Sequence, residues 1–405
     1  MALLKPFRGL RPPKAKVLQV AAPPYDVVNS SEARAYVTGN PDSFFHVSRP
    51  EVDFPARTDE HSAAVYARGS QNFKDFTARG ILVSDPAPHF YVYRQKMGAH
   101  EQTGLVAAAS VDEYDRGLIK KHELTREDKE DDRTRHIDAL DANDEPVFLA
   151  YRASASVDAL IAEITHDKPE YDFVTDDGIA HTFWVAAETF NSRLTAAFAA
   201  IDGLYIADGH HRSAAASRVH NLRQGRPGSH DAFLAVVFPH NQLQILDYNR
   251  LVKDLNGLDA PQFLARVAER FTLEKTTRAK PEAAHHFGMF LAGQWYALAA
   301  RPGTWDPSPS GVLDVTILQR NLLAPVLAIG DPRTDKRIDF VGGIRGTLEL
   351  EKRVNSGSAA VAFAMFPTTL EQLMAIADAG EIMPPKSTWF EPKLRSGLVV
   401  HPFGS

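Results

Sequence analysis

Apolar residues recur along this chain with two periods, and the period changes at glycines and prolines. In residues 59–79, DEHSAAVYARGSQNFKDFTAR, apolar positions fall three and four apart, which predicts an amphipathic helix ending at Gly80. HFYVYRQKM and EQTGLVAAASVDEY read as adjacent strands of a hairpin around Gly98. EPVFLAY and HTFWVA predict further strands, and SVDALIAEIT and TFNSRLTAAFAAI predict helices. Around Gly203 the period switches again, with LYIAD as strand and RSAAASRVHNLRQ as a helix stopping at Gly225.

Near the start, KVLQVA reads as a short strand between two proline pairs. The second pair, Pro23 and Pro24, forces an extended turn that presents Tyr25 and Asp26. Residues 119–138, IKKHELTREDKEDDRTRHID, carry charge of both signs. They read as a solvated helix laced with i,i+4 ion pairs, opened by Thr125 with Asp128 as a capping box. AFLAVVF and LQILDYNRLV resume as strands, and a second region begins near Gly257. That region holds a helix after Asp259, the hairpin HFGMFLAGQWYALAA, a helix from Asp314 through Leu323 and the strand IDFVGG. A helix over 347–355, the strand AVAFAMF and a helix capped by Thr368 with Glu371 complete it. Hairpins mixed with strand–helix units predict an α+β fold rather than a doubly wound sheet.

Composition narrows the chemistry. The chain of 405 residues is 44% hydrophobic, enough for a packed core and for two or three domains. A net charge of −6 gives no global pull toward nucleic acid. The absence of cysteine excludes disulfides, thiolate zinc sites, iron–sulfur clusters and cysteine nucleophiles. No apolar run approaches the roughly 20 residues of a membrane span, and MALLKPFRGLRPPKAK lacks a signal-peptide core. The expectation is a cytoplasmic protein with no membrane and no nucleic-acid partner.

Three stretches carry candidate chemistry. Asp208, Gly209, His210, His211 and Arg212 stand where a strand hands over to a helix, so unpaired N–H groups and the positive end of a helix dipole gather there. A capped helix, an anion cradle and a metal site all remain open, and the pair of histidines with an arginine favours the cradle. No protein-ligated metal is assigned, because adjacent histidines diverge on a helix. His122 and Glu123 begin like a zinc-binding H-E-x-x-H helix, but Arg126 occupies the second histidine position. In MPPKSTWFEPKLRSG two prolines stiffen a loop offering Lys386, Ser387 and Thr388, then Trp389, Phe390, Glu391 and Lys393. Pro385 rules out a P-loop there, and FVGGIRG misses the G-x-G-x-x-G spacing.

The blocks APPYDVVN, IKKHELT…KEDDR, YIADGHHR, HHFGMFLAG, DFVGGIRG and PPKSTWFEPKLRSGL together resemble the family known as domain of unknown function 1015, from Arg8 to about His401. More remotely, Gly209 to Arg212 resembles the glycine-initiated box of the ParB/sulfiredoxin-like fold, which touches nucleotide phosphates in free-serine kinases and CTP-binding ParB proteins. That resemblance implies a ParB/sulfiredoxin-like nucleotide-binding region with insertions over 1–256; the α+β region over 257–405 has no counterpart in it and is expected to close over the site. It implies a small-molecule kinase acting on free serine or a similar metabolite, using ATP or ADP with Mg2+. The alternatives are a metal-dependent phosphoesterase and a ParB-like nucleotide binder without turnover. In the kinase reading Asp26 is the general base, where the kinases have Glu, with His122 and Glu123 also catalytic. Asp208, Gly209, His210, His211 and Arg212 hold phosphates, and Tyr25, Lys386, Ser387 and Thr388 contact substrate or phosphate.

Overall fold

A computed structural model describes residues 2–404, and the chain divides into two compact units, Met1–Leu243 with Pro392–Ser405 and Gln244–Glu391. In the first unit nine strands form one mixed sheet. They are β1 (Leu4–Lys5), β2 (Tyr91–Met97), β3 (His100–Ser110), β4 (Ile119–Lys120), β5 (Val147–Tyr151), β6 (Tyr171–Val174), β7 (Ala180–Val185), β8 (Leu204–Asp208) and β9 (Ala232–Pro239). Their order is β4-β8-β5-β9-β3-β2-β7-β6, with β1 on β3. The β2–β3 hairpin turns where the sequence places it, with Met97 opposite His100 and Gly98 at φ 60°.

Every residue of β5 and β9 is buried, and the two run parallel at the centre. Unbroken apolar runs of this kind belong to strands covered on both faces. The principal helices of this unit are α1 (Ala63–Ala78), α2 (Glu127–Leu140), α3 (Ala155–Thr165), α4 (Thr189–Ala199) and α5 (His210–Leu222). Val157 and Leu160 of α3 and Leu194 and Phe198 of α4 share one core with Leu149 and Val237. α2 packs along α5, which lies against β5 and β9, and Ile137 meets Ala215, Val219 and Phe403 there. The C-terminal segment returns to this unit through pairings of Ser396 with Ala22, Val400 with Leu10 and His401 with Asn143.

The second unit holds a six-stranded antiparallel sheet of β10 (Tyr248–Val252), β11 (Phe271–Thr276), β12 (His286–Leu291), β13 (Gln294–Ala300), β14 (Ile338–Gly342) and β15 (Val361–Met365). Its order is β11-β13-β12-β15-β10-β14. The helix after Asp259, α6 (Ala260–Ala268), carries a full capping box with Gln262. The 256/257 boundary read from the sequence lies inside this unit, because β10 pairs with β14 and β15. Both units mix strands and helices, so the fold is α+β.

Four local expectations are corrected. KVLQVA contains a helical turn, Val17–Val20, in which Val17 and Val20 are buried and Leu18 is exposed; apolar spacing of three outweighs the strand propensity of the short run. LQILDYNRLV splits at Asp247: Gln244–Leu246 pairs with Trp389–Glu391, while β10 enters the larger sheet. α2 starts at Glu127 behind Arg126 with no side-chain cap, because the Thr125 hydroxyl donates to Glu130 instead. The last helix, Leu370–Asp378, is capped by Thr369 with Gln372, one residue beyond the expected pair.

Gly104 of β3 lets β9 approach closely, since a Cβ there would stand 2.8 Å from ring atoms of the fully buried Phe238. Gly104→Ala is expected to destabilise the chain by about 1–3 kcal/mol, read as a lowered urea midpoint at unchanged slope.

Candidate functional site

β4 and β8 run parallel with Leu204 beside Ile119 and Tyr205 beside Lys120, so the segments after both strands leave the same end of the sheet. The β8–β5 pairing slips between Ile206 and Asp208. A slip of this kind re-aims the side chains beyond it, and Asp208 ends the strand half-buried. Gly209 follows at φ 99°, ψ 29° and offers no side-chain cap, and α5 begins at His210. A Cβ on Gly209 would meet the Arg212 guanidinium at 3.2 Å. Glycine therefore serves both the left-handed turn and the close approach.

Arg212 organises what surrounds it. Its guanidinium is buried, with Nη2 3.0 Å from Asp208 Oδ2 and 3.6 Å from Asp26 Oδ2, while Nη1 donates to the Pro146 carbonyl. Nε is buried with no hydrogen-bond partner. The fork thus faces the two carboxylates rather than outward. Lys393 Nζ lies 3.7 Å from the same Asp208 oxygen.

Main-chain contacts hold the Tyr25–Asp26 turn. Tyr25 N–H donates to Glu145 at 3.1 Å, and Arg49 Nη1 donates to the carbonyls of Tyr25 and Val28 at 2.8 and 2.6 Å. The Arg133 guanidinium stacks 4.1 Å above the Tyr25 ring. Asp26 itself is 39% exposed. Between these groups lies a small cavity lined by Tyr25, Arg133, Asp144, Glu145 and Arg212, with room for about one water.

The histidines separate. His210 turns toward His122, with ring centroids 4.4 Å apart and planes at 88°, and its Nε2 accepts the His122 N–H at 3.5 Å. Its Nδ1 stands 4.0 Å from Glu123 Oε2. His211 turns the other way and accepts the Arg126 N–H at Nε2, 3.1 Å. Asp26, His122, Glu123 and Asp208 through Arg212 are therefore all gathered in the first unit. Lys386, Ser387 and Thr388 belong to the second unit. There Lys386 has φ 59° and its carbonyl accepts from Arg250 at 3.0 Å, and Ser387 Oγ donates to Pro384 at 2.6 Å.

Sequence reasoning missed Glu145, Asp144, Arg133, Arg49 and the role of Lys393. The carboxylate pair Asp144–Glu145 immediately before a fully apolar strand was a usable signal. Arg133 was hidden in a run read as solvated, whereas Asp132, Arg133 and His136 are buried. The charges of that run also pair across to α5, Arg218 with Asp131 and Glu130, rather than only along α2.

Burial opposes ionisation of Asp208, but Lys393 and Arg212 more than offset it and hold its carboxyl below the usual range. Burial and the neighbouring Asp144 push Glu145 upward, against the pull of Arg212. Asp144 moves down despite its burial, because His136 donates to it at 2.9 Å. Burial lowers His122 to about 4 and His210 well below its ordinary value, so both imidazoles are neutral at pH 7. The site can present a negative carboxylate, neutral imidazoles and uncapped helical N–H groups at one sheet end.

The family model described as Protein of unknown function (DUF1015) matches residues 4–316. No curated protein matches the chain. Among solved structures, a mutant free serine kinase in complex with AMP is 12% identical, covering 71% of this chain and 86% of its own, at a TM-score of 0.37. A conserved hypothetical protein from Pyrococcus furiosus is 14% identical over 71% of this chain and 90% of its own, TM-score 0.34. SbnI with a C-terminal truncation, from Staphylococcus aureus, is 12% identical over 72% and 85%, TM-score 0.40. None of the three carries a residue role to this chain.

Neutral buried histidines tie stability to pH. Besides His122 and His210, burial holds His401 at about 4 and His181 at about 3. Below about pH 6.5 the unfolded chain takes up protons on these rings while the folded chain does not, so stability falls as pH falls toward 4. Each ring contributes up to about 1.4 kcal/mol per pH unit in that window. Urea midpoints should drop between pH 6.5 and 4, less than four rings alone would give because burial pushes the Glu145 and Asp314 carboxyls up and opposes them, and His122→Asn should flatten the slope. A midpoint constant over that window would contradict the neutral assignment.

Proposed function

This chain belongs to the DUF1015 family, and we propose that it is a nucleotide-dependent small-molecule kinase that phosphorylates the hydroxyl of free serine or a similar metabolite. The observation that carries this reading is the convergence of Asp26 and Asp208 on one buried guanidinium beside the uncapped N-terminus of α5. Phosphoryl transfer asks for a placed hydroxyl, a carboxylate to orient it and positive groups around the phosphates.

In this reading Asp26, the more exposed of the two carboxylates, orients the acceptor hydroxyl and takes its proton as the oxygen attacks the terminal phosphorus. The new O–P bond forms while the bond to the departing nucleotide breaks. Arg212 fixes Asp26 relative to Asp208, so its contribution is orientation of the base more than direct grip on phosphate. The N–H groups of the first turn of α5, presented by Gly209, receive phosphate oxygens, and Lys393 adds positive charge beside them. His211 borders this cradle, while Tyr25, His122 and Glu123 flank the acceptor. ATP or ADP would arrive with Mg2+, which neutralises phosphate charge and prefers oxygen donors. The part-exposed oxygens of Asp26 and Asp208 are of the type it takes. The ParB/sulfiredoxin-like assignment of the first unit belongs to the same proposal.

Purified protein given serine, Mg2+ and either ATP or ADP should produce O-phosphoserine, detected by mass spectrometry. Asp26→Asn should cut turnover by about 10²-fold or more while changing nucleotide affinity less than about threefold. Absence of transfer across a panel of nucleotides and hydroxylated metabolites, or an Asp26→Asn variant with undiminished turnover, removes the kinase reading.

A further inference from the structure

The motif set aside in the sequence for want of a second histidine finds one in space. His122 and Glu123 follow β4, and His210, 88 positions beyond His122, opens α5 at the same end of the sheet. One ring nitrogen of each imidazole and one carboxylate oxygen of Glu123 lie within 4.8 Å of one another. We propose that His122, Glu123 and His210 form a binding site for one divalent transition metal of the zinc class, separate from any magnesium carried by a nucleotide.

The state of His122 points to a ligand. The residue is 2% exposed, and its Nδ1 has no hydrogen-bond partner. Its ring hydrogen-bonds to the main chain at Ile206, and Nδ1 is the nitrogen left without a partner. A main-chain contact that orients the ring is a recurring feature of metal-bound histidine. An unpaired buried acceptor is otherwise a cost of about 1–3 kcal/mol.

The donor set selects the ion. Two imidazoles and a carboxylate suit zinc, cobalt, nickel or iron and fit poorly to magnesium or calcium, which take mainly oxygen. Ligands about 2.1 Å from a tetrahedral ion stand roughly 3.4 Å apart, so the cluster must close by about 1 Å. Glu123, whose side chain is 43% exposed, has the freedom to supply most of that movement. If the ion takes Nδ1 of His210, the ring proton moves to Nε2 and the long 3.5 Å contact from His122 N–H is released. Three protein ligands leave a fourth position for water or for an oxygen of a bound phosphate.

The test loads the chelator-stripped full chain with Zn2+, dialyses it and counts metal by elemental analysis, with thermal melting in parallel. The expected result is one zinc per chain and a zinc-dependent rise in Tm. His122→Asn and Glu123→Gln should each weaken zinc binding at least tenfold and abolish the Tm rise, while His166→Ala, an exposed histidine on another face, should bind as wild type. Circular dichroism of the metal-free variants checks that they are folded, and Glu123→Gln, at a part-exposed position, keeps the test interpretable if His122→Asn is not. Substoichiometric zinc, or zinc retained by the folded variants, overturns the site. Because the readout is metal content, failure of this proposal leaves the kinase reading standing, and failure of the kinase reading leaves the metal site standing.

Discussion

The guanidinium of Arg212 is the constraint on which the rest of the site depends. Taking a charge of this kind out of water costs several kcal/mol, and only well-placed opposite charges and acceptors offset it. Asp208, Asp26 and the Pro146 carbonyl supply them. The three come from β8, the Tyr25–Asp26 turn and the approach to β5, so one side chain on the first turn of α5 ties together segments far apart in sequence. Removing it would leave Asp26 without this partner and Asp208 with Lys393.

That tie explains why so much else is polar and buried. Glu145 accepts the Tyr25 N–H with Arg212 and Arg133 in its surroundings, and Asp144 beside it is held by His136. A network of this kind is stable when every member is satisfied and costly when one is missing. The main chain on either side of Asp26 is consequently fixed from both ends, by Glu145 at the Tyr25 N–H and by Arg49 at the carbonyls. A carboxylate on a loop acquires the positional definition of one on a strand.

Much of the architecture was legible because local signals agreed with the tertiary outcome. Gly98 marks a turn, Asp259 a cap, and LYIAD followed by glycine a strand-to-helix change, and packing upholds all three. Legibility failed where long-range partners decide. Nothing local distinguishes Arg133, under Tyr25, from Arg126 on the surface, since both sit in the same charged run. The meeting of His122 with His210 depends on β4 lying parallel to β8, a two-residue pairing with no pattern in the sequence. The DGHHR turn was legible as a strand-to-helix change, but the inward direction of Arg212 was not, because it follows from carboxylates contributed by other segments.

The charge balance of the finished site bears on what can enter it. Asp26, Asp208 and Glu123 are acidic, Arg212 is turned to two of them, and both histidines near Glu123 are neutral. Lys393 is the one lysine placed against Asp208 among the described residues. A bare polyphosphate approaching this arrangement meets carboxylates before it meets a free fork, and the helical N–H groups provide only partial positive charge. Under the kinase proposal, a cation that arrives with the anion or is resident before it would favour binding. Magnesium on a nucleotide satisfies the first condition and an ion at His122, Glu123 and His210 the second. In the proposed kinase the acidic residues would then act as selectors for metal-bound phosphate, a selectivity that would follow from burying Arg212 where it is.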